Sequence, residues 1–386
     1  MNAVDEYSRV RVTLGFAAKN YGFEVVPSFA AGVTITSLAH DVRQVRPGCL
    51  FVPIGRVDRR QLEAARDAGA YAALVSPEFR NEASSLGMPL LVSSPNPVAL
   101  GKLACDINAD PSSCVATFAI AGDDDDEINA NVLRLADFLH MLGNPVGVIS
   151  SQGSTSLQRE LSLQYPLNIA DVQHTLAVCA EDGAAAVVMA LNSETFSKNA
   201  LQSVNIDVLG VEKTEDTNNP ESERTMEFVR TNKAESASES ASESTSGFTK
   251  ESANKSGSNL KNPANPVNPA NSANSANPAD TAISATAESS TKPETMSVTA
   301  AASLFDSLPA QNLNFYSLRQ RYGFCSREHS YCVIRSAESD ELAQLADQIG
   351  GKDIKRHLSL SIAMVLAAGV RRGTIKSALR VSHELR

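Results

Sequence analysis

The amino-acid sequence predicts an α/β protein: a small N-terminal α/β domain followed by a parallel-sheet domain with a long insertion. Short apolar runs alternate with amphipathic segments, and one run ends in a glycine just before a helix. Because helical crossovers lay successive strands side by side in one direction, this alternation indicates parallel sheets with helices on both faces. With 386 residues, of which 42% are hydrophobic, the chain is long enough for two or three domains.

The first predicted domain covers residues 1–110. Apolar runs predict strands at 48–54, 70–75 and 89–92, and the segment 61–68, ended by Gly69, predicts a short helix between them. This is the pattern of a small α/β unit. The sequence Asp110-Pro111-Ser112 predicts a hinge before the next domain.

The second predicted domain covers residues 111–210 and 301–386. A buried strand at 118–122 precedes an amphipathic helix at 129–142. The remaining expected strands lie at 145–149, 184–191, 206–210, 314–317 and 331–334. The remaining expected helices lie at 169–181, 358–368 and 374–385.

A low-complexity linker is predicted between the two parts of this domain, at residues 211–300. It is rich in Ser, Asn, Pro and Ala, with runs such as SASESASESTSG and NPANPVNPANSANSANPAD. Few large apolar side chains are available there to offset the entropy of ordering. We therefore expect a disordered insertion, which either is a flexible loop or carries a recognition motif for a partner.

Composition excludes several function classes. The formal net charge of −10 and the lack of a basic stripe argue against a nucleic-acid partner. No apolar run predicts a membrane span or a signal peptide, and the six scattered cysteines suit reduced thiols, so we expect a cytoplasmic protein without a membrane partner. Cys325, His329 and Cys332 are three potential zinc ligands without a fourth nearby, and we expect no metal there.

An acidic turn lies between the strand at 118–122 and the helix that follows it. After Gly122 comes the run Asp123-Asp124-Asp125-Asp126-Glu127, five carboxylates with no lysine. A strand, a glycine turn and a helix form the frame in which backbone N–H groups and a lysine hold phosphates. Three interpretations stay open: carboxylates that cap the helix, a divalent-cation site, or an intact nucleotide site.

Four segments together resemble the Mur ligase family, which uses ATP to join amino acids to UDP-muramyl precursors of peptidoglycan. Residues 41–52, DVRQVRPGCLFV, are similar to the family's Asp-Ser-Arg-x-Val-x-Pro-Gly-x-Leu-Phe-Val, a motif of the branch that adds the third stem-peptide residue. Ala121-Gly122 is placed like the family's phosphate loop. Residues 187–194, VVMALNSE, resemble Val-Val-Met-Glu-Val-Ser-Ser-His, and residues 351–370 resemble the helix beside the adenine.

The resemblance implies a uridine-nucleotide site in the first domain. Its motif matches make Asp41, Arg43 and Asp58 the candidate contacts. A structural alternative stays open for the first two, because Asp41 and Arg43 can pair with each other and cap a turn.

The main departures from the family pattern fall on residues that handle ATP, and one falls on a substrate motif. Asp126 stands at the lysine position of the phosphate loop and Glu127 at its magnesium-binding threonine. Ala190 replaces the glutamate that holds magnesium. Further departures are Glu194 for a histidine, Ile354 and His357 for paired asparagines, and Gln164-Tyr165-Pro166 for a Thr-Thr-Pro motif. The resemblance also implies a third domain, for which we expect no counterpart in residues up to Arg386.

These replacements predict that ATP and magnesium do not bind. A lysine-to-aspartate change alters the charge beside a phosphate by two units, and each unit pair at ~4 Å is worth about 4 kcal/mol at an effective dielectric of about 20. We therefore expect no ligase turnover, and a binding or regulatory role with a UDP-muramyl nucleotide or another cell-wall synthesis protein. The alternatives are an ATP-dependent ligase, which needs a basic side chain from elsewhere and a partner chain, and a scaffold that acts through its linker.

Overall fold

The computed structural model describes residues 11–55, 57–94, 96–212, 315–327, 330–346 and 352–381. It confirms the predicted α/β class, with two mostly parallel sheets. The linker predicted at 211–300 lies outside the described residues except at its start. Val211 ends a strand and Glu212 is buried, so the folded part extends two residues past the predicted boundary. Among the described residues no helix is long and apolar enough to cross a membrane.

The N-terminal sheet has five strands in the order β1-β5-β4-β3-β2, with only β1 antiparallel. Its strands are β1 (Glu24–Val26), β2 (Ser37–Ala39), β3 (Cys49–Phe51), β4 (Ala72–Val75) and β5 (Leu90–Val92). Its helices are α1 (Leu14–Tyr21), α2 (Arg59–Asp67), α3 (Arg80–Ser84) and α4 (Pro97–Ile107). Two apolar clusters cover the sheet, which is why β3 is buried along its whole length.

The central sheet has seven strands in the order β12-β11-β6-β10-β7-β8-β9. They are β6 (Ala116–Ala121), β7 (Val146–Ile149), β8 (Ser154–Ser156), β9 (Arg159–Leu161), β10 (Ala186–Ala190), β11 (Val208–Val211) and β12 (Tyr331–Val333). Five strands are parallel, as predicted. The antiparallel hairpin β8–β9 was not predicted, because its polar three-residue strands carry no apolar run.

The described residues contain six helices beside the central sheet. They are α5 (Asp125–Met141), α6 (Ile169–Glu181), α7 (Phe315–Tyr322), α8 (Ala337–Gln344), α9 (Lys352–Ala367) and α10 (Arg372–Val381). The strand predicted at 314–317 is wrong, since Phe315 begins a helix. Leu318 and Tyr322 are buried one helical turn apart, and this spacing outweighs the aromatic run that favoured a strand.

Strand order makes the carboxyl end of β6 a topological switch point. This strand lies between β11 and β10, so the chain leaves the sheet in opposite directions on its two sides. Such switch points are where open parallel sheets bind ligands. The acidic turn follows β6 at this switch point.

Candidate phosphate-loop site and N-terminal cleft

The acidic turn starts where β6 and β11 end together. The backbone N–H of Glu212 donates to the carbonyl of Ala121 at 2.8 Å, which carries the strand pairing one residue past β11. A Cβ on Gly122 would lie 3.3 Å from the Ile128 side chain and 3.4 Å from Glu212. Glycine therefore allows α5 and Glu212 to approach the turn closely.

Asp124 is the N-cap of α5. Its Oδ1 accepts hydrogen bonds from the backbone N–H groups of Asp126, at 2.8 Å, and Glu127, at 3.1 Å. The helix therefore begins at Asp125 rather than at the predicted residue 129, because carboxylates are favoured in the first turn beside the positive end of the helix dipole. This is the capping interpretation of the acidic run.

Three positions at which the sequence departs from the family pattern lie along the same edge of the sheet. Asp126 accepts a hydrogen bond from Gln152, which follows β7, at 3.2 Å. Ala190, the last residue of β10, is fully buried and pairs with Ile120. Glu194 follows β10 and accepts a hydrogen bond from Ser151 at 3.4 Å. Carboxylates thus gather at this edge, but the position of the family's magnesium glutamate holds a methyl group.

A basic side chain from a distant segment reaches the turn. Arg356, on α9, donates from Nη2 to Oε2 of Glu127 at 2.5 Å, and Nε2 of His357 lies 2.6 Å from the same oxygen. The Nε of Arg356 also lies 3.2 Å from Oε1 of Glu212, an ion pair without hydrogen-bond geometry. We call Glu127, Glu212, Arg356 and His357 the α5–α9 charge cluster.

Sequence reasoning missed Arg356 because the predicted helix starts at residue 358. In the structure α9 begins at Lys352, so its first two turns extend to the acidic turn. The apolar stripe that identifies a helix marks only its buried part, whereas the charged turn depends on partners from other segments. The one signal in the sequence was His357, which matches the second asparagine of the family's adenine helix.

The cluster shifts the pKa of each carboxyl group in a different direction. The hydrogen bond from His357, together with Arg356, lowers the pKa of Glu127. Burial raises the pKa of Glu212, while Arg335, Arg356 and His357 oppose that rise. Glu127 also raises the pKa of Arg356, so the guanidinium stays charged. The positive charge of Arg356 is thus balanced by carboxylates of the same chain.

A second candidate site is a cleft of about 1330 Å³ at the carboxyl ends of β3, β4 and β5. Asp58 lines this cleft and also caps α2, since its Oδ1 accepts from the N–H of Arg60 at 3.2 Å. Lys198 and Ile169, which belong to the central domain, line its other side. Clefts at this end of parallel strands are common ligand sites.

The other two predicted nucleotide contacts are not among the residues that line this cleft. Asp41 accepts hydrogen bonds from the backbone N–H of Arg43, at 2.9 Å, and from its guanidinium, at 2.5 Å. It also caps the 3₁₀ turn Val42–Gln44. Asp41 and Arg43 therefore pair with each other and cap a turn, as the structural alternative has it. Of the three candidate nucleotide contacts, only Asp58 lies in the cleft.

The two sheets are also joined by polar contacts. His40, which follows β2, has its Nδ1 2.9 Å from Nδ2 of Asn168 and 3.5 Å from Oδ1 of Asp171. Asn168 and Asp171 form the capping box of α6. Of the three potential zinc ligands in the sequence, His329 lies outside the described residues. Within the described residues there is no group of three or more metal-ligating side chains.

Comparison with known proteins gives relatives of one kind. No family model matches the sequence. A UDP-N-acetylmuramyl-tripeptide synthetase of Limosilactobacillus reuteri (strain DSM 20016) is 23% identical over 181 residues, which is 45% of this chain and 34% of the relative. A UDP-N-acetylmuramoyl-L-alanyl-D-glutamate–2,6-diaminopimelate ligase of Xanthomonas oryzae pv. oryzae (strain MAFF 311018) is 28% identical over 184 residues, 46% of this chain and 36% of the relative. These relatives support membership of the Mur ligase family, over about half of the chain and at low identity.

The Mur ligase similarity is partial in both directions. The chain spans only about a third of the length of the curated relatives it matches. A solved UDP-N-acetylmuramoyl-L-alanyl-D-glutamate–2,6-diaminopimelate ligase is similar over 55% of this chain and 42% of its own, with a TM-score of 0.37 and 14% identity. A MurF from Acinetobacter baumannii is similar over 52% of this chain and 40% of its own, with a TM-score of 0.32 and 15% identity.

Proposed function

We propose that this chain is a Mur-ligase-like protein of peptidoglycan precursor synthesis that binds a UDP-muramyl nucleotide and does not turn over ATP. The relatives named above support the peptidoglycan context. The observation that supports the lack of ATP turnover is the bonding state of the acidic turn. Its backbone donors at Asp126 and Glu127 are bonded to Asp124, and the cation that reaches it, Arg356, is paired with Glu127.

This arrangement opposes a triphosphate for a reason of charge. In a phosphate loop the backbone donors and the cation meet phosphate oxygens, which are anionic. Here carboxylates of the chain already accept from those groups, so phosphates would have to displace them and then face Asp126 and Glu127 as neighbours. Because phosphoryl transfer depends mainly on positioning and charge stabilisation, little catalytic power would remain.

The proposed ligand site is the cleft that contains Asp58. Its walls combine apolar side chains such as Leu74 and Phe79 with polar groups such as Ser93 and Asn96, a mixture that suits a nucleotide's base and ribose. Lys198 at its rim is exposed and supplies a positive charge for a diphosphate.

Isothermal titration calorimetry of the full chain tests this proposal. We expect a UDP-muramyl peptide to bind, and ATP with magnesium to show no binding tighter than about 1 mM. Lys198→Gln should weaken the UDP-muramyl peptide by about tenfold, since it removes a charge-assisted contact. Lys102→Gln is the matched control, because Lys102 is exposed on α4 and does not line the cleft. Tight ATP binding, or an unchanged affinity in Lys198→Gln, contradicts the proposal.

Arg356 is the observation that favours the second candidate, an ATP-dependent ligase that acts with a partner chain. It brings to the turn the basic group that the phosphate loop itself lacks. An ATP hydrolysis assay in the presence of a UDP-muramyl peptide separates the two candidates. Hydrolysis that is lost in Arg356→Gln would favour the ligase, and no hydrolysis would favour the binding protein.

A further inference from the structure

The α5–α9 charge cluster has the composition of an oxyanion site. Arg356 and His357 point their donor nitrogens at one oxygen atom, Oε2 of Glu127, at 2.5 and 2.6 Å. Convergence of a guanidinium and an imidazole on one oxygen is the geometry by which proteins hold carboxylates and phosphates. The oxygen that they bind here belongs to the chain itself.

The cationic side of this site is held firmly in place. Arg356 has 24% of its side chain exposed and His357 only 11%, and α9 packs its next residues into the core of the central domain. Behind Arg356 lies Glu212, with its side chain 6% exposed, and Asp353 is 4.0 Å away on the same helix. Glu212 therefore holds the guanidinium of Arg356 from the buried side. The outer side of the guanidinium faces Glu127.

Glu127 is the most exposed of the four cluster members. Its side chain is 36% exposed, and it stands in the first turn of α5, on the solvent side of the cluster. Substituting it leaves the N-cap hydrogen bonds of Asp124 in place, because their donors are the backbone N–H groups of Asp126 and Glu127. Its carboxylate can therefore be removed without removing the helix cap or the buried anchor.

We propose that Arg356 and His357 form a binding site for a small oxyanion, such as phosphate or pyrophosphate, which Glu127 occupies as a built-in substitute ligand. The inference deepens the proposed function and rests on it. If the wild-type chain bound phosphates at this turn, Glu127 could not occupy their place. The turn therefore has a basic group, Arg356, but the carboxylate of Glu127 neutralises its charge. Removing the carboxylate of Glu127 exposes the site.

The test compares Glu127→Gln with the wild-type full chain by calorimetry, using inorganic phosphate and pyrophosphate as probes. We expect the variant to bind pyrophosphate about tenfold to a hundredfold more tightly than the wild type, the range of one charge-assisted hydrogen bond. The double variant Glu127→Gln with Arg356→Gln should lose the gain. Glu160→Gln, which removes an exposed carboxylate on the β8–β9 hairpin, is the matched control and should bind as the wild type does.

A second variant guards against two failures. A glutamine can still accept a hydrogen bond from Arg356, and a substitution can also unfold the protein. Glu127→Ala removes the acceptor altogether, and circular dichroism of both variants checks that they fold. No gain in either folded variant, or a gain that persists without Arg356, overturns the inference while leaving the proposed function intact. Pyrophosphate or ATP binding by the wild type at the affinity of the variants overturns the proposed function instead.

Discussion

At the scale of single residues, the motif at residues 41–52 fits two physical roles, nucleotide binding and an internal ion pair. Asp41 and Arg43 lie in a motif that resembles a nucleotide-binding segment, yet their side chains bind each other. The side chain of Arg43 is 74% exposed, so solvent reaches it as well as Asp41. A motif records which residue types are present, whereas partner choice depends on which neighbouring groups lie within about 3 Å in the fold.

The Asp41 pair makes a prediction about pH. The hydrogen bond from the Arg43 side chain is the main cause that lowers the pKa of Asp41 from 3.8 to about 2. Because the pKa is lower in the folded chain, ionised Asp41 favours folding above about pH 5, and this contribution is lost as the pH falls through about 2. The pair is solvent-exposed, so its effect on the free energy of unfolding is small.

A carbon-detected NMR titration measures this pKa directly. We expect Arg43→Gln to raise the pKa of Asp41 towards 3.8, and not fully to it, because the backbone hydrogen bond to Arg43 remains. Arg46→Gln, an exposed arginine three residues further along, should leave it near 2. A wild-type pKa near 3.8 would contradict the ion pair.

At the scale of elements, close packing decides what the apolar pattern leaves open. Helix α4 of the N-terminal domain packs against the segment around Gln202 of the central domain. A Cβ on Gly101 would lie 2.4 Å from Cβ of Gln202 and 3.0 Å from its carbonyl carbon and oxygen. The glycine thus sets how closely the two domains approach, although the helical pattern of α4 is the same with alanine.

Two glycine-to-alanine changes in helices should therefore have opposite effects. Gly101→Ala should lower the free energy of unfolding by about 1–3 kcal/mol, because backbone atoms of Gln202 cannot move aside easily. Gly373→Ala, in α10, should raise it by about 0.5 kcal/mol, since nothing lies within 4 Å and alanine has the better helix propensity. Urea unfolding of both variants is the measurement, and effects of the same sign would show that the α4 contact is not tight.

At the scale of the whole molecule, the low-complexity segment divides a domain that is continuous in space. Strands before it and strand β12 after it belong to one sheet, since β12 pairs with β11 in parallel register. Val211 pairs with Ala121, and Glu212 belongs to the α5–α9 charge cluster. A deletion of the linker that spares these contacts must therefore begin after Glu212.

Deleting residues 215–300 should leave the melting temperature within about 2 °C of the wild type, because that segment has few large apolar side chains to contribute to a core. Deleting 211–300 is the matched control, and it should lower the melting temperature clearly, since it also removes Val211 and Glu212. Thermal unfolding followed by circular dichroism makes the comparison. Equal losses in the two deletions would contradict the boundary, and loss of a binding partner in the shorter deletion would favour the scaffold alternative.

The sequence by itself determined the α/β class, most of the strands and helices, the acidic turn after β6 and the resemblance to Mur ligases. These features follow from local patterns, because apolar periodicity, glycine turns and runs of like charge can be identified in consecutive residues. Only the tertiary structure decided that Arg356 and Glu212 meet the turn, that Asp41 is satisfied by Arg43, and that residue 315 begins a helix. Glu127 and Arg356 are more than 200 residues apart in the chain, and their contact depends on how α9 packs against α5 in one apolar cluster of the central domain, which no local pattern records.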